Sequence, residues 1–114
     1  MTLTRTSALL VLLTSACASQ QLPQQQLVDT NAAIDSAREI DKGETPSVEL
    51  HVKFARDQIT LAKKYMEDGE DEKAARMLDR AQADAEVALA QARTQESRQE
   101  ATEAWNEVAE LQNN

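Results

Sequence analysis

The stretch from Pro46 to Arg93 decides the fold: PSVELHVKFARDQITLAKKYMEDGEDEKAARMLDRAQADAEVALAQAR. Its apolar residues alternate at spacings of four and three, and the same rhythm restarts after Asp68-Gly69. Such spacings place each set on one stripe of an α-helix. The first stripe is Val48, Val52, Ala55, Ile59, Ala62 and Met66, and the second is Ala74, Leu78, Ala81, Ala85, Ala88 and Ala92. Two matching stripes joined by a glycine turn predict an antiparallel helical hairpin.

A shorter helix is predicted before the hairpin, over residues 27–42, with the hairpin helices over 46–68 and 71–112. Leu27, Ile34, Ala37 and Ile40 lie on or near one face of the first helix, although Asn31 interrupts it. Gly43 suits the end of this helix. Thr45 suits the cap position of the next helix, and Pro46 suits its first turn. Phe54, Leu61 and Tyr65 widen the apolar arc of that helix, so we expect Phe54 and Tyr65 in the core and the first helix packed there.

The predicted third helix is too long for its neighbours. Residues 93–100, RTQESRQE, contain no apolar side chain, and without Gly or Pro we expect continuous solvated helix there, with a hinge as the alternative. A second short stripe follows, formed by Ala101, Trp105, Val108 and Leu111. At 1.5 Å per residue the helix would be about 63 Å long, so this stripe would overhang. It is a candidate partner contact, although packing of Trp105 within the chain stays open. The predicted fold is all-α, a three-helix arrangement with an overhanging third helix.

The N-terminal residues 1–16 have the pattern of a secretory signal, with basic Arg5, an apolar run over 8–13 and small residues before Cys17. Leu13, Thr14, Ser15, Ala16 and Cys17 resemble the lipobox of bacterial lipoproteins, with Thr14 where leucine is commoner. The resemblance implies cleavage after residue 16, acylation of Cys17 and, since residue 18 is not aspartate, an outer-membrane location facing the periplasm. An ordinary signal peptide with a cysteine nearby is the alternative. Residues 17–26 are expected to form a lipidated tether, or a frayed helix start.

The composition and the available side chains argue against several functions. A net charge of −8 disfavours nucleic acids and anionic lipid surfaces as partners. With one histidine, one cysteine and no Gly-rich phosphate loop, we expect no catalytic residue, no metal and no cofactor besides the acyl lipid. His51 is expected to be isolated and half-exposed, with a ligand or pH-sensing role as the alternative. The acidic turn, Glu67, Asp68, Glu70, Asp71 and Glu72, is expected to be solvated rather than a cation site.

The hairpin resembles two known families. Its residues match an alanine-rich bacterial family, domain of unknown function 4398, at Pro46, Glu49-Leu50, Ala55-Arg56, Ile59, Ala62, Gly69, Ala74, Leu78, Ala81, Asp84-Ala85 and Ala88. Members are often lipoproteins, and some carry OmpA-like domains, which this sequence lacks. The resemblance implies no established activity. The hairpin is also similar to one tetratricopeptide unit, but Glu86 replaces the expected proline and no second copy follows, so convergent hairpin packing is preferred.

Two functional hypotheses follow from these features. The first is a non-catalytic envelope accessory that is anchored to the membrane by its lipid and that binds an envelope protein or the cell wall. The second is a self-associating coiled-coil spacer between membrane and wall. The stripe around Trp105 is the contact surface in the first hypothesis.

Overall fold

The computed structural model describes residues 23–113, which form three helices: α1 (Pro23–Asp41), α2 (Pro46–Glu67) and α3 (Asp71–Asn113). The predicted all-α class is confirmed, and no strand occurs among these residues. Helices α2 and α3 begin at the predicted residues and end within one residue of the predicted ends. The predicted signal, Cys17 and most of the predicted tether lie outside the described residues.

The α2–α3 hairpin closes along the two predicted stripes. The buried residues of α2 are Val48, Val52, Ala55, Ile59 and Ala62, and those of α3 are Ala74, Leu78, Ala81, Ala85, Ala88 and Ala92. Met66, the last residue of the first stripe, is half-buried. Because alanine has a single methyl group, the α3 stripe lets the neighbouring backbones approach closely. These buried positions are called the seam below.

Two left-handed residues make the first turn, since Lys42 has φ 52° and Gly43 has φ 81°. Thr45 occupies the cap position of α2, as predicted, although its hydroxyl makes no cap hydrogen bond. The first turn is held by Asp41, whose side-chain Oδ2 accepts a hydrogen bond from the Thr45 N–H at 3.1 Å. Gly69, at φ 73°, makes the second turn. A left-handed conformation favours glycine there because no Cβ meets the backbone.

Helix α1 begins at Pro23, four residues before its predicted start, so residues 23–26 belong to the helix and not to a tether. A proline fits the first turn of a helix, where its missing N–H is not needed. The following turn is fixed by Gln26, which is buried and donates from Nε2 to Asp79 Oδ1 at 2.8 Å and Gln82 Oε1 at 3.1 Å. The buried face of α1 is Gln26, Thr30, Ile34, Ala37 and Asp41, with Leu27 and Ile40 partly buried.

Helix α1 packs chiefly on α3 and only slightly on α2, which corrects the predicted α1–α2 packing. Its partners Asp79 and Gln82 each follow a seam residue of α3. In an antiparallel helix pair, the residues that come immediately after seam residues in the sequence lie on one side of the pair, for both helices. The residues that come immediately before seam residues lie on the other side of the pair. Phe54 and Leu61 precede seam residues of α2, so they lie on the side that α1 leaves open. They are 42% and 39% exposed, and the prediction of Phe54 as a core residue is wrong.

Helix α3 is unbroken through residues 93–100, as expected from their composition. Its 43 residues make a rod of roughly 64 Å at 1.5 Å per residue. Every side chain from residue 96 to 113 is exposed. Near the first turn, Gln99 still reaches Glu44 across a long 3.4 Å contact. The rod therefore continues past the α1–α2 turn as a bare helix.

Candidate functional site

The part of α3 that begins at the first turn, residues 99–113, is called the α3 end here, and it is bare beyond the Gln99–Glu44 contact. Trp105 and Leu111 are 74% and 72% exposed, and Val108 is 43% exposed. Ala101 is exposed as well. Trp105, Val108 and Leu111 follow one another at spacings of three, so these side chains project from one side of the helix. The predicted contact residues are thus brought together on a surface that nothing covers within the described part of the chain.

Acidic side chains flank this apolar stripe. The α3 end contains Glu100, Glu103, Glu107 and Glu110 and has no lysine or arginine. Neighbouring charges of one sign on a bare helix create a negative potential around the stripe. A partner that covers Trp105 must therefore tolerate carboxylates at its margins or supply positive charge to them.

A second exposed region lies on the side of the hairpin that α1 leaves uncovered, called the open side here. On this side lie residues that immediately precede a seam residue, namely Ser47, His51, Phe54, Gln58 and Leu61 of α2 and Asp84, Val87 and Gln91 of α3. Tyr65 of α2 and Thr94 and Arg98 of α3 continue the same side beyond the seam. A shallow groove of about 360 Å³ runs along it, lined by Ser47, Val87, Ala90, Gln91, Thr94, Gln95 and Arg98. The apolar pattern of the sequence does not indicate this groove.

The groove and the stripe of the α3 end lie on one continuous face of α3. Seven residues separate Val87 from Thr94, and Ala101 and Val108 follow at the same interval. A seven-residue step nearly completes two turns of an α-helix, so the four residues share a face with a drift of about 20° per step. This repeat is the signal in the sequence that relates the groove face of α3 to the stripe, although it gives no sign of the part that Ser47 of α2 contributes.

A polar cluster fastens α2 to α3 on the open side. His51 Nδ1 lies 2.8 Å from Asp84 Oδ1, and Gln58 Nε2 donates to Asp84 Oδ2 at 2.9 Å. The His51 ring also packs edge-on against Phe54, with 6.2 Å between centroids. His51 is therefore paired and half-buried, not isolated as predicted. Both carboxylate oxygens of Asp84 are thus directed at side chains of α2.

Two amide oxygens on this side lack hydrogen bonds. Gln58 Oε1 and Gln91 Oε1 are buried without a hydrogen-bond partner among the described residues. A buried polar atom without a partner costs about 1–3 kcal/mol. Gln91 also lines the groove, so a group that settles there would find an amide with unused hydrogen-bonding capacity.

At the acidic turn, Lys73 forms an ion pair with Glu70 and lies 5.5 Å from the centre of the Tyr65 ring. The hydrogen bond that Lys73 donates to the Glu70 carboxylate, aided by the charge of that carboxylate, raises the pKa of Lys73 above the ordinary lysine value. Between residues 23 and 113 no group of three or more metal-ligating side chains is positioned to hold an ion. Within the same range no helix combines the length and apolar character needed to cross a membrane.

A search of curated proteins and a search of solved structures found no match to the chain. A family model described as Domain of unknown function (DUF4398) matches residues 25–104. The matched region takes in nearly all of α1, the whole of α2 and most of α3, and it stops one residue before Trp105. Because the match covers well over half of the sequence, the chain belongs to the DUF4398 family.

Proposed function

We propose that this protein is a lipid-anchored envelope protein of the outer membrane that faces the periplasm and acts by binding another protein, without catalysis. The α3 end is the contact surface in this proposal. The sequence Leu13-Thr14-Ser15-Ala16-Cys17 supports the anchor. The acyl chains on Cys17 would insert into the membrane, and each buried methylene would contribute about 0.8 kcal/mol to the free energy of binding. The anchor sets the location, and the rod of α3 sets how far the contact surface stands from the first turn.

The exposure of Trp105 carries the binding proposal. Water-exposed tryptophan with apolar neighbours at helical spacing is typical of protein contacts, where tryptophan is among the commonest hot-spot residues. The α3 end is a convex rod, a shape that fits a protein surface rather than enclosing a small molecule. Its four glutamates disfavour phosphate backbones and anionic lipid as the occupant.

The polar groups on the open side fasten α2 to α3. Asp84 uses one oxygen for His51 and the other for Gln58, so its acceptor sites hold α2 against α3. A general base needs its acceptor directed at a substrate proton. These three side chains are arranged as a structural cross-link between helices.

Metabolic labelling tests the anchor. Radiolabelled palmitate is expected on the wild-type chain in the outer-membrane fraction, and neither label nor outer-membrane recovery is expected for Cys17→Ala. Wild-type chain that carries no label, or label that persists in Cys17→Ala, would refute the anchor.

Photo-crosslinking in intact cells tests the contact surface. A photoreactive residue at position 105 is expected to give a protein adduct, whereas one at position 103 is expected to give little, because it points about 200° away around the helix. Equal yields from the two positions, or none from position 105, would refute the contact surface.

A further inference from the structure

We propose that the α3 end docks into the open-side groove of a second copy of this chain, so that two copies pair antiparallel along α3. This names the partner of the contact surface proposed above and so rests on that proposal. It also specifies which residues receive the α3 end on the body, meaning the part of the described chain that precedes the α3 end. Four observations on the described residues carry it: shared face, equal length, hydrogen-bonding chemistry and charge.

The shared face permits a symmetric pairing. Groove and stripe lie on the same side of α3, with the groove nearer the body and the stripe nearer the C-terminal end of the helix. If two such helices meet face to face and antiparallel, the stripe of each copy lies on the groove of the other. Each contact is then made twice about one two-fold axis, and the assembly closes at two copies.

The lengths agree. The groove residues of α3 run from 87 to 98, and the stripe with its next turn runs from 101 to 112. Each segment is about 17 Å long at 1.5 Å per residue. Val87, Gln91, Thr94 and Arg98 of the groove follow the alternating four-three spacing that interlocks two helices in a coiled coil. Ala101, Trp105 and Val108 of the stripe follow the same spacing, and Leu111 lies one residue before its next position. In the register that aligns these layers, Trp105 of the second copy lies opposite Thr94, Val108 opposite Gln91, and Ala101 opposite Arg98.

The groove offers acceptors to the indole N–H of Trp105. Thr94 Oγ1 donates its hydrogen to the Ala90 carbonyl at 2.8 Å and keeps its lone pairs as acceptors. One turn away, the Gln91 amide has an oxygen with no hydrogen-bond partner in the described chain. An amide can turn over about its last torsion and present either its oxygen or its nitrogen to the groove. A buried tryptophan requires an acceptor for its N–H, and both candidates lie within a turn of its position.

The charges are compatible with this register. The glutamates of the α3 end lie off the stripe, so they remain in water when it is covered. Arg98 lines the groove, and the residue opposite it is Ala101 of the second copy. Glu100 of that copy lies one residue from that position, within the reach of an arginine side chain. The two Arg98 side chains near the axis are thereby neutralised.

Disulfide trapping tests the register in the purified full-length chain. Cys17→Ala removes the native thiol, and Gln91→Cys with Val108→Cys places two thiols in one predicted layer. Oxidation is expected to give covalent dimers, because the pair recurs twice about the axis. The matched control replaces Val108→Cys by Glu107→Cys, which points away from the layer and is expected to give few dimers. Adding Trp105→Ala to the first pair should weaken association about tenfold or more, as expected for a hot-spot residue.

The outcomes separate this inference from the proposed function. Equal dimer yields from the 108 and 107 pairs, absence of dimers, or no effect of Trp105→Ala would each overturn the antiparallel pairing. If position 105 crosslinks in cells only to other proteins and the purified chain stays monomeric in sedimentation, the pairing is refuted while the contact surface stands. If the 91/108 pair forms dimers that depend on Trp105, the pairing is supported whether or not palmitate labels Cys17.

Discussion

Alanine at the seam of α3 sets how closely the helices approach. Ala81, Ala85, Ala88 and Ala92 are all essentially inaccessible to solvent, and they face larger residues such as Val52 and Ile59 of α2. At each of these positions only a methyl group lies between the backbones, so each alanine removes little apolar area from water. Burial of apolar area stabilises a fold by about 25 cal/mol per Å², so the contribution of each alanine is small. Stability at this scale therefore depends on the fit of many small contacts.

Overpacking one of these positions should separate the helices. Ala85→Leu is expected to lower the free energy of unfolding by about 1–3 kcal/mol, because the inserted atoms have no space to occupy. The matched control is Ala83→Leu, an exposed position two residues earlier on the same helix, which should leave stability within about 0.5 kcal/mol. Urea unfolding followed by circular dichroism measures both variants. Equal effects would contradict the close approach at Ala85.

The polar cluster on the open side is expected to contribute measurably. Asp84→Ala leaves Gln58 and His51 without their acceptor, and a loss of about 1–2 kcal/mol in unfolding free energy is expected. Asp57→Ala is the control, because its ion pair with Lys53 is solvent-exposed and such pairs contribute about 0–1 kcal/mol. Chemical denaturation of both variants decides between them. A loss at Asp57 as large as that at Asp84 would contradict the role assigned to the cluster.

At the scale of the helices, the spacing of apolar residues predicted α2 and α3 well. Periodicity records which residues share a face, and it located all six seam residues of α3 and all five on α2. Of the predicted stripes, only Met66 is half-buried rather than buried. The start of α1 was missed because its first buried residues, Gln26 and Thr30, are polar. They are satisfied by hydrogen bonds to Asp79, to Gln82 and within α1. Such partners come from a distant part of the chain and leave no trace in a hydrophobic pattern.

Removing the α3 end should leave the body intact. A stop codon in place of Gln99 deletes side chains that are exposed from residue 99 onward, so the melting temperature should fall only slightly. The free energy of unfolding should change by less than about 1 kcal/mol, since the lost surface makes almost no tertiary contact. A stop codon in place of Ala88, which removes buried Ala88 and Ala92, should instead unfold the hairpin. A large loss of stability on truncation at 99 would show that the end packs within the chain.

At the scale of the whole molecule, the arrangement of the helices was harder to predict than their bounds. The sequence indicated a wide apolar arc on α2, and the natural interpretation was that α1 covers it. Helix α1 instead takes the other side, because Gln26 finds its partners on the residues that follow the α3 seam. Phe54 and Leu61 are left exposed as a consequence. A partly apolar face formed by two helices does not by itself determine which other helix packs against it.

The candidate site was partly predictable for a related reason. The stripe at Ala101, Trp105, Val108 and Leu111 followed from helical spacing and from the excess length of α3. The groove involves Ser47 of α2, whose approach to Val87 and Gln91 of α3 depends on the packed hairpin. The seven-residue repeat along α3 was present in the sequence, but polar residues interrupt it and hide it from an apolar pattern.

Fluorescence of Trp105 tests the central claim that the α3 end projects bare from the body until a partner covers it. The chain contains one tryptophan, so the emission reports on this position alone. In the full-length Cys17→Ala chain at high dilution, emission at the long wavelength of indole in water and ready quenching by acrylamide are predicted. Raising the concentration should shift the emission to shorter wavelength and reduce quenching. Short-wavelength, quencher-protected emission at the highest dilution would contradict the claim, because Trp105 would then be buried within its own chain.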